Sequence, residues 1–403
     1  MAEEIVSRPQ VLPPPSERAT PFGWMRRNLF STWYNTLLTF LAVGIIYAVL
    51  RPAIEWVFFT ARWEVVQVNL RLLMTGTYPQ GQLWRVWLCL HLLAAISGLT
   101  WGVSIRGRRA AGVILLLVPL VLAAFVATGA TARMHLAALS AVALVAYALG
   151  RLGGVSLRRM VIGAWIAYFP LILLIIRGIT RGEGWLPIVP SNFWGGLMLT
   201  FLLTVVGVVV SFPVGVLLAL GRRSQLPVVR WASIVYIEVI RGVPLITILF
   251  MASTMVPLFL PSGVTIDRVL RAMIGITMFS AAYLAENVRG GLQAIPRGQY
   301  EAASALGLNA TLTMGLIILP QALRLIIPVL VGQFIALFKD TTLVATIGLL
   351  DLLGVARSVL AQPQFISYQH EVLVFISLVY WIFSYFMALI SQRLEVALGV
   401  GQR

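Results

Sequence analysis

Long apolar runs separated by short polar breaks make up most of the chain after about residue 30. A helix that crosses the hydrocarbon core of a bilayer needs about 20 mostly apolar residues, and ten runs approach or exceed that length. Backbone polar groups in lipid must be satisfied within the segment, so these runs predict membrane-spanning helices. The predicted spans are approximately 30–50, 86–105, 110–129, 134–150, 159–177, 196–220, 228–257, 266–286, 314–338 and 368–390. The predicted fold is therefore all-α and polytopic.

The polar stretches between the runs predict how the chain is divided. Residues 51–84 mix tryptophans with charges, which is typical of an amphipathic segment on the outer membrane surface. A proline- and tryptophan-containing stretch after residue 177 marks the main boundary. In order, the predicted segments are a disordered cytoplasmic tail (1–28), N-terminal extra spans (29–177) with the external segment (51–84), an external linker (178–195), a five-helix core (196–392) and a cytoplasmic tail (393–403).

The composition supports a membrane protein and argues against a nucleic-acid partner. The chain has 403 residues, of which 60% are hydrophobic and 11% charged, far from the values of soluble domains. Its net charge of +16 comes from arginines in short clusters between apolar runs. Such clusters are typical of cytoplasmic loops. With ten spans, this pattern predicts that both termini lie in the cytoplasm.

Few residues of this chain are suited to catalysis or metal binding. Cys89 is the only cysteine, and His91, His135 and His370 are widely spaced, so neither a disulfide nor a zinc motif is predicted. No Ser/His pair or carboxylate dyad occurs at a useful spacing, which argues against an enzyme. The only lysine, Lys339, does not follow the Gly-x-x-x-x-Gly pattern of a phosphate-binding loop. If ATP drives the process, another subunit must hydrolyse it.

One polar interruption between apolar spans has a specific spacing. It holds Glu301-Ala302-Ala303, then Gly307, and ends in Pro320. Glycine accepts a sharp turn between two short helices, the alanines leave a smooth face, and a carboxylate near a helix start is favoured by the dipole. On the Glu-Ala-Ala triplet alone, an ordinary loop with two amphipathic turns is the preferred interpretation. The complete spacing is far more specific.

That spacing resembles the cytoplasmic EAA loop of permease subunits in binding-protein-dependent ABC importers. The resemblance implies that residues 298–320 form a coupling helix that fits a groove on a separate ATPase subunit. The coupling residues that it implies are Glu301, Ala302, Ala303, Gly307 and Pro320.

Further stretches resemble the polar amino-acid branch of these permeases. Glu238 to Pro244 reads Glu-x-x-Arg-Gly-x-Pro, and residues 282–291 and 333–341 also match that branch. The resemblance covers about 196–392 and implies the five-helix core of an importer permease. The extra N-terminal spans suggest the larger subunits of general amino-acid importers. Asn287 departs from the pattern, since an apolar residue is expected after the preceding glutamate.

The resemblance also implies a location and a set of partners. The implied location is the bacterial inner membrane, where the chain contacts lipid. The implied protein partners are an ATP-binding cassette subunit that carries ATP and Mg²⁺, a second and different permease chain, and a periplasmic amino-acid-binding protein. No cofactor is expected on this chain itself.

Two groups of residues are candidates for the gate or pathway. Charged groups in spans are costly, and Glu238 and Arg241 are one helical turn apart, so they are expected either to pair structurally or to act in a gate. Pro244 can kink its helix. Lys339, Asp340 and Thr341 lie at the outer end of a predicted span. There Lys339 is either a lysine that extends its charged group out of the membrane at a helix end or, with Asp340, a substrate contact at the outer mouth. The candidates are Glu238, Arg241, Pro244, Lys339, Asp340 and Thr341.

A secondary transporter of amino acids or other small polar solutes is the alternative function. It would need carboxylates for a coupling ion near the bilayer midplane. Glu238 and Glu286 lie near predicted helix ends instead, which argues against it. Glu286 and Arg289 are three residues apart and are expected to orient the coupling loop.

Overall fold

The computed structural model describes residues 21–104, 109–125, 129–153, 155–182, 184–261 and 263–398. Over these ranges the chain is helical, and its only β-type pairings are isolated bridges between Thr180 and Pro187 and between Gly196 and Asp351. The all-α prediction is confirmed. The first helices are α1 (Pro21–Asn28), α2 (Trp33–Glu55), α3 (Glu64–Thr75), α4 (Leu83–Ser104), α5 (Arg109–Phe125), α6 (Ala130–Leu152) and α7 (Val155–Arg177). The others are α8 (Gly196–Arg222), α9 (Pro227–Arg241), α10 (Leu245–Phe250), α11 (Arg268–Gln293), α12 (Arg297–Ala305), α13 (Ala310–Leu312), α14 (Leu319–Asp340), α15 (Leu352–Leu360) and α16 (Gln369–Leu398).

Eight helical segments in the described ranges are long and apolar enough to cross a membrane, and one bent pair of helices would make a ninth. The eight segments and the bent pair coincide with nine of the predicted spans. The remaining predicted span, 110–129, corresponds to α5, which has 17 described residues. The prediction of a polytopic helical membrane protein is thus confirmed.

The chain divides into two compact units, and the first ends at Arg62. In this unit, Pro21–Asn28 forms a helix, so the prediction of a disordered tail is wrong for these residues; residues 1–20 lie outside the described ranges. Proline fits the first helical position because a backbone N–H, which proline lacks, would have no partner within the helix there. The Thr39 hydroxyl donates to the Leu29 carbonyl at 2.8 Å, which fixes the turn between α1 and α2.

The predicted external segment 51–84 contains two different structures. Residues 51–60 continue the first span, as the end of α2 and a π-helical turn, rather than forming a surface helix. The second unit begins just before α3, which is amphipathic as expected. Its Val65, Val66 and Leu73 are buried in a cluster with side chains of α15 and α16. The apolar face of α3 therefore packs on protein and not on lipid.

Small residues hold α4 and α6 backbone against backbone. Gly98 and Gly102 are spaced as in a Gly-x-x-x-Gly motif. A β-carbon on Gly98 would lie 2.3 Å from the Ala143 carbonyl oxygen, and one on Gly102 would lie 2.4 Å from that of Tyr147. Such close approach maximises van der Waals contact, which drives helix association in lipid.

A buried arginine caps the C-terminal end of α7. The Arg85 side chain is fully buried, and its guanidinium donates to the Pro187 carbonyl at 2.8 Å and to the Ile175 carbonyl at 3.5 Å. The Tyr78 hydroxyl donates to the Ile176 carbonyl at 2.8 Å, and burial raises the pKa of Tyr78 to about 12. The last carbonyls of a helix lack partners within the helix and attract cations. Arg85 and Tyr78 therefore fix the loop after α7.

Glycines allow two chain segments to cross where α3 ends and α8 begins. Gly76 and Gly196 both have positive φ, at 62° and 61°. A β-carbon on Gly76 would lie 2.5 Å from the Gly195 Cα, and one on Gly196 would lie 2.3 Å from the Leu73 carbonyl oxygen. Only glycine fits both the backbone conformation and the space.

The predicted span 228–257 is broken in the structure. The helices Pro227–Arg241 and Leu245–Phe259 meet at an angle of 106°. Pro244 cannot donate a backbone hydrogen bond and restricts the residue before it, so the helix cannot continue through it. The kink expected at Pro244 is thus a sharp corner. It places α9 across α11, where the Tyr236 hydroxyl donates to the Met278 carbonyl at 2.9 Å.

Candidate functional site at the loop end of the helices

The segment with the EAA spacing forms an elbow of two short helices. Helix α12 ends at Ala305, and Gly307, two residues later, has φ +76°. The Gly307 N–H donates to the Ser304 carbonyl at 2.9 Å, and the Leu308 N–H donates to the Ala303 carbonyl at 3.1 Å. This pair of bonds is a Schellman motif, which satisfies the last carbonyls of a helix. The Asn309 side chain then accepts the Leu312 N–H at 2.9 Å and starts the next helix.

The elbow presents one face outward. Glu301 and Ala302 are exposed, whereas Ala303 is only 3% exposed. Because Ala303 is buried, the expectation of a smooth exposed surface made by both alanines is wrong. Leu306 lies one turn after Ala302 and is 78% exposed. Pro320 is exposed in the first turn of α14.

Side chains tie the elbow to the helices around it. The Tyr300 hydroxyl lies 3.4 Å from Arg223 Nη1 at the end of α8. The Gln321 amide donates to Gln299 Oε1 at 3.1 Å and so joins α14 to α12. We call the ends of α8 and α11 that are nearest to α12 the loop end.

Charged residues of three helices meet near the loop end. The Arg222 guanidinium, on α8, lies 2.7 Å from Glu238 on α9 and 3.9 Å from Glu286 on α11. Arg241 lies 3.5 Å from Glu286, and Arg289 pairs with the same carboxylate. We call these five residues the charge cluster. Glu286 pairs with Arg289 on its own helix, whereas Glu238 pairs with Arg222 and not with Arg241, the partner that the sequence suggested. The one-turn rule considers a single helix, and partners from neighbouring helices lie closer.

Asn287, the departure from the family pattern, has a defined partner. Its side-chain amide donates to Gln333 Oε1 on α14 at 2.8 Å. The Gln333 amide in turn donates to the Ser280 carbonyl of α11 at 2.9 Å. Polar side chains in adjacent membrane helices gain by bonding each other. These two hydrogen bonds therefore join α11 to α14, the helix that follows the elbow.

The pathway candidates are not brought together. Glu238 and Arg241 belong to the charge cluster, whereas Lys339 and Asp340 end α14, roughly 33 Å along the helix from its start. Lys339 is exposed and Asp340 half-buried. Thr341 is fully buried and donates to the Phe338 carbonyl at 2.8 Å. Pro244 is exposed at the corner before α10.

A buried polar group at the end opposite the elbow was not predicted. Asp351 is fully buried and caps α15 by accepting the Gly354 N–H at 2.9 Å. The Tyr380 hydroxyl lies 3.3 Å from its other oxygen, and Thr200 accepts the Leu352 N–H at 3.2 Å. Burial raises the pKa of Asp351 despite these bonds. An Asp immediately before an apolar helix is a capping signal that the sequence did contain.

Two of the three histidines lie close together. The rings of His91 and His135 are 5.5 Å apart, and His135 stacks on Trp87 at 4.8 Å. They are 44 residues apart in the sequence, and only the packing of α4 on α6 makes them neighbours. No group of three or more His, Cys, Asp or Glu is placed to hold a metal ion within the described ranges.

Comparisons with known proteins place the chain in a family. The family model described as "Binding-protein-dependent transport system inner membrane component" matches residues 211–398. The "Inner membrane amino-acid ABC transporter permease protein YhdY" of Escherichia coli (strain K12) is 38% identical over 398 residues, which cover 94% of this chain and 93% of that protein.

Two further relatives differ in how much of the chain they cover. The "Glutamate/glutamine/aspartate/asparagine transport system permease protein BztC" of Rhodobacter capsulatus is 34% identical over 95% of each chain. The "Glutamate/aspartate import permease protein GltK" of Escherichia coli O6:H1 is 37% identical, over 52% of this chain and 96% of its own. This chain is a transport permease of the inner membrane with several spans, and not an enzyme. It belongs to the family of amino-acid ABC transporter permeases, the inner-membrane components of binding-protein-dependent transport systems.

Proposed function

We propose that this chain forms part of the translocation pathway of an ATP-driven amino-acid importer and is coupled to a separate ATPase through residues 298–320. The observation that carries the proposal is the elbow, in which α12 stands exposed and its Schellman motif leads directly toward α14. Rigid capping on both sides of Gly307 means that a push on α12 moves the start of α14. Force applied by a partner would therefore reach a membrane helix.

The exposed face of α12 suits a groove on the partner. Ala302 and Leu306 are one turn apart and form a small apolar spot, with Glu301 beside it. An apolar anchor inserted into a pocket is a common basis of helix-in-groove recognition. In this proposal the ATPase subunit supplies the pocket and carries ATP and Mg²⁺. The elbow then lies in the cytoplasm, as do both termini.

We further propose that the transported solutes are polar L-amino acids. This is supported by the names of relatives that match nearly the whole chain, one of which is a permease for glutamate, glutamine, aspartate and asparagine. Lys339 and Asp340, at the end of α14 opposite the elbow, are candidates for early substrate contacts. A periplasmic binding protein delivers the substrate, and a second permease chain completes the pathway.

The proposal is tested by replacing Gly307 with aspartate. A side chain at φ +76° costs about 1–2 kcal/mol, and the new carboxylate would lie in the docking surface. We expect uptake of ¹⁴C-labelled L-amino acids by liposomes with the complete transporter to fall by about tenfold or more. Stimulation of ATP hydrolysis by the loaded binding protein should be lost as well.

Gly129→Asp is the matched control. Gly129 lies outside residues 298–320, is the exposed N-cap of α6 with φ −125°, and has no atom within 4 Å of its would-be β-carbon, so the same charge is added without backbone strain. Its uptake should stay within about twofold of the original, because aspartate is a favoured N-cap residue. Normal uptake by the Gly307→Asp protein would contradict the proposal. Uptake by this chain alone, without an ATPase, would instead favour a secondary transporter.

A further inference from the structure

We infer that Glu286 is a positioning residue for coupling, because its carboxylate is the shared anionic partner of arginines from α8, α9 and α11 next to the elbow. The inference rests on the proposed function and adds a mechanical role for the charge cluster. The charge cluster lies on α8, α9 and α11 and not on the elbow itself, and the elbow reaches the end of α8 through Tyr300 and Arg223. It is therefore placed to determine how far movement of α12 spreads.

The geometry makes Glu286 the centre of the charge cluster. Both of its oxygens accept from Arg289 on the same helix, and Oε2 also lies 3.5 Å from Arg241 and 3.9 Å from Arg222. Three guanidinium groups from three helices thus approach one carboxylate. Among the described residues, Glu238 by contrast has one arginine within 4 Å, which is Arg222. Glu286 is also the less exposed of the two, with 23% of its side chain accessible against 52% for Glu238.

The balance of charge explains why Glu286 matters more than an ordinary surface ion pair. The charge cluster has three arginines and two glutamates, so it is already positive by one. Without the Glu286 carboxylate, three cations would face a single exposed anion, and like charges at this separation repel. Arg241 also packs on the Tyr283 ring at 5.6 Å, which keeps its guanidinium at this position. Loss of the acceptor should push α9 away from α11.

One short step joins the charge cluster to the elbow. Arg222 is followed by Arg223, whose guanidinium lies 3.4 Å from the Tyr300 hydroxyl on α12. Movement of α12 would therefore reach the end of α8, and there the bond between Arg222 and Glu238 passes it to α9. An element that holds one arrangement of helices sets the equilibrium between that arrangement and its alternatives. Weakening it should let the ATPase cycle run without the signal from the binding protein.

The test is Glu286→Gln in the complete transporter, with ATP hydrolysis measured in the presence and absence of the loaded binding protein. We expect hydrolysis without the binding protein to rise about fivefold, at the lower end of typical coupling factors between sites. Uptake per ATP should fall by a similar factor. Glu55→Gln is the matched control and should change both values less than twofold, because the exposed ion pair of Glu55 with Arg51 lies on α2 and is not part of the charge cluster.

A second variant separates charge balance from general damage. In Glu286→Gln combined with Arg241→Gln, one surplus cation is removed, so part of the normal ratio of stimulated to unstimulated hydrolysis should return. A merely structural role would make the two substitutions add to each other, and this result would overturn the inference. An unchanged ratio in Glu286→Gln alone would also overturn it. If Gly307→Asp still abolishes uptake in that case, the proposed function stands; if uptake never depends on the ATPase, the proposed function itself fails.

Discussion

The buried carboxyl group of Asp351 has a free-energy cost of desolvation and also caps a helix. It is fully buried, yet it caps α15 and receives the Tyr380 hydroxyl. Removing a carboxylate from water disfavours its charged form, and this effect outweighs the stabilising hydrogen bonds, so the pKa is raised. The cap therefore favours folding most strongly when the carboxyl is protonated.

This shift predicts a pH-dependent effect of Asp351→Asn. Because the folded-state pKa is above the unfolded value of about 3.9, the carboxyl stabilises the fold fully below that value and loses stabilisation as pH rises through the folded-state pKa. Asparagine does not titrate. The melting temperature of the Asn variant minus that of the original should thus increase by about 2 °C or more from pH 4.5 to pH 7. Thermal unfolding in detergent measures it, and a difference that is flat or falls with pH would refute it.

At the residue scale the sequence predicted local backbone geometry better than it predicted which side chains on different helices contact each other. The turn expected at Gly307 follows from a rule within one segment, and it is present. The partner of Glu238 could not be predicted, because Arg222 is 16 residues away on another helix. Arg85 was likewise missed, since an arginine at the edge of an apolar run gives no sign that it will be fully buried.

Helix α4 packs closely on α6 because two of its residues are glycines and have no side chain. Its two glycines bring it against α6 at backbone distance, and this contact also places His91 beside His135. Interfaces of this kind tolerate added volume poorly, because the obstacle is a carbonyl oxygen and not a flexible side chain.

Gly98→Leu should therefore separate α4 from α6. The new β-carbon would start 2.3 Å from the Ala143 carbonyl oxygen, so one helix must shift. We expect the melting temperature of the purified protein to drop by about 5 °C or more. Gly163→Leu, on α7, is the control, since no atom lies within 4 Å of its would-be β-carbon. Equal melting temperatures for the two variants would show that this packing does not limit stability.

Hydropathy located the helical elements well and their interruptions poorly. The predicted run 228–257 is apolar throughout, and only the backbone chemistry of Pro244 shows where it must break. Segment 51–84 had the composition of a surface helix, but its first ten residues are the end of the preceding span. Composition reports which surroundings a residue prefers, and it does not report whether protein or lipid provides them.

For the whole molecule, the two ends of α8 carry different features, and these allow its orientation in the membrane to be tested. The elbow and the crossing of Gly76 with Gly195 lie at opposite ends of α8, as the contacts of Tyr300 and Gly76 place them. The proposed function requires the elbow inside. The single native cysteine is only 6% exposed, so engineered cysteines can be labelled against a low background.

Ser304→Cys and Thr77→Cys test this orientation as a pair. Both positions are exposed, one on the elbow and one at the opposite end. In intact spheroplasts a membrane-impermeant maleimide should label Thr77→Cys and leave Ser304→Cys unlabelled until the membrane is permeabilised. Labelling of Ser304→Cys should then fall when the ATPase subunit is bound. Labelling of Ser304→Cys from outside would place the elbow beyond the reach of any cytoplasmic ATPase.

The glycine crossing between α3 and α8 also limits how such permeases can be recombined. A chimera that takes its first 180 or so residues from one family member and the remainder from another joins two halves of a single tight fit. If either donor carries a larger residue at the positions of Gly76 or Gly196, the added carbon meets main-chain atoms that have no room to yield. The two positions are therefore best inherited together, and exchange of either half alone requires glycine on both sides of the seam.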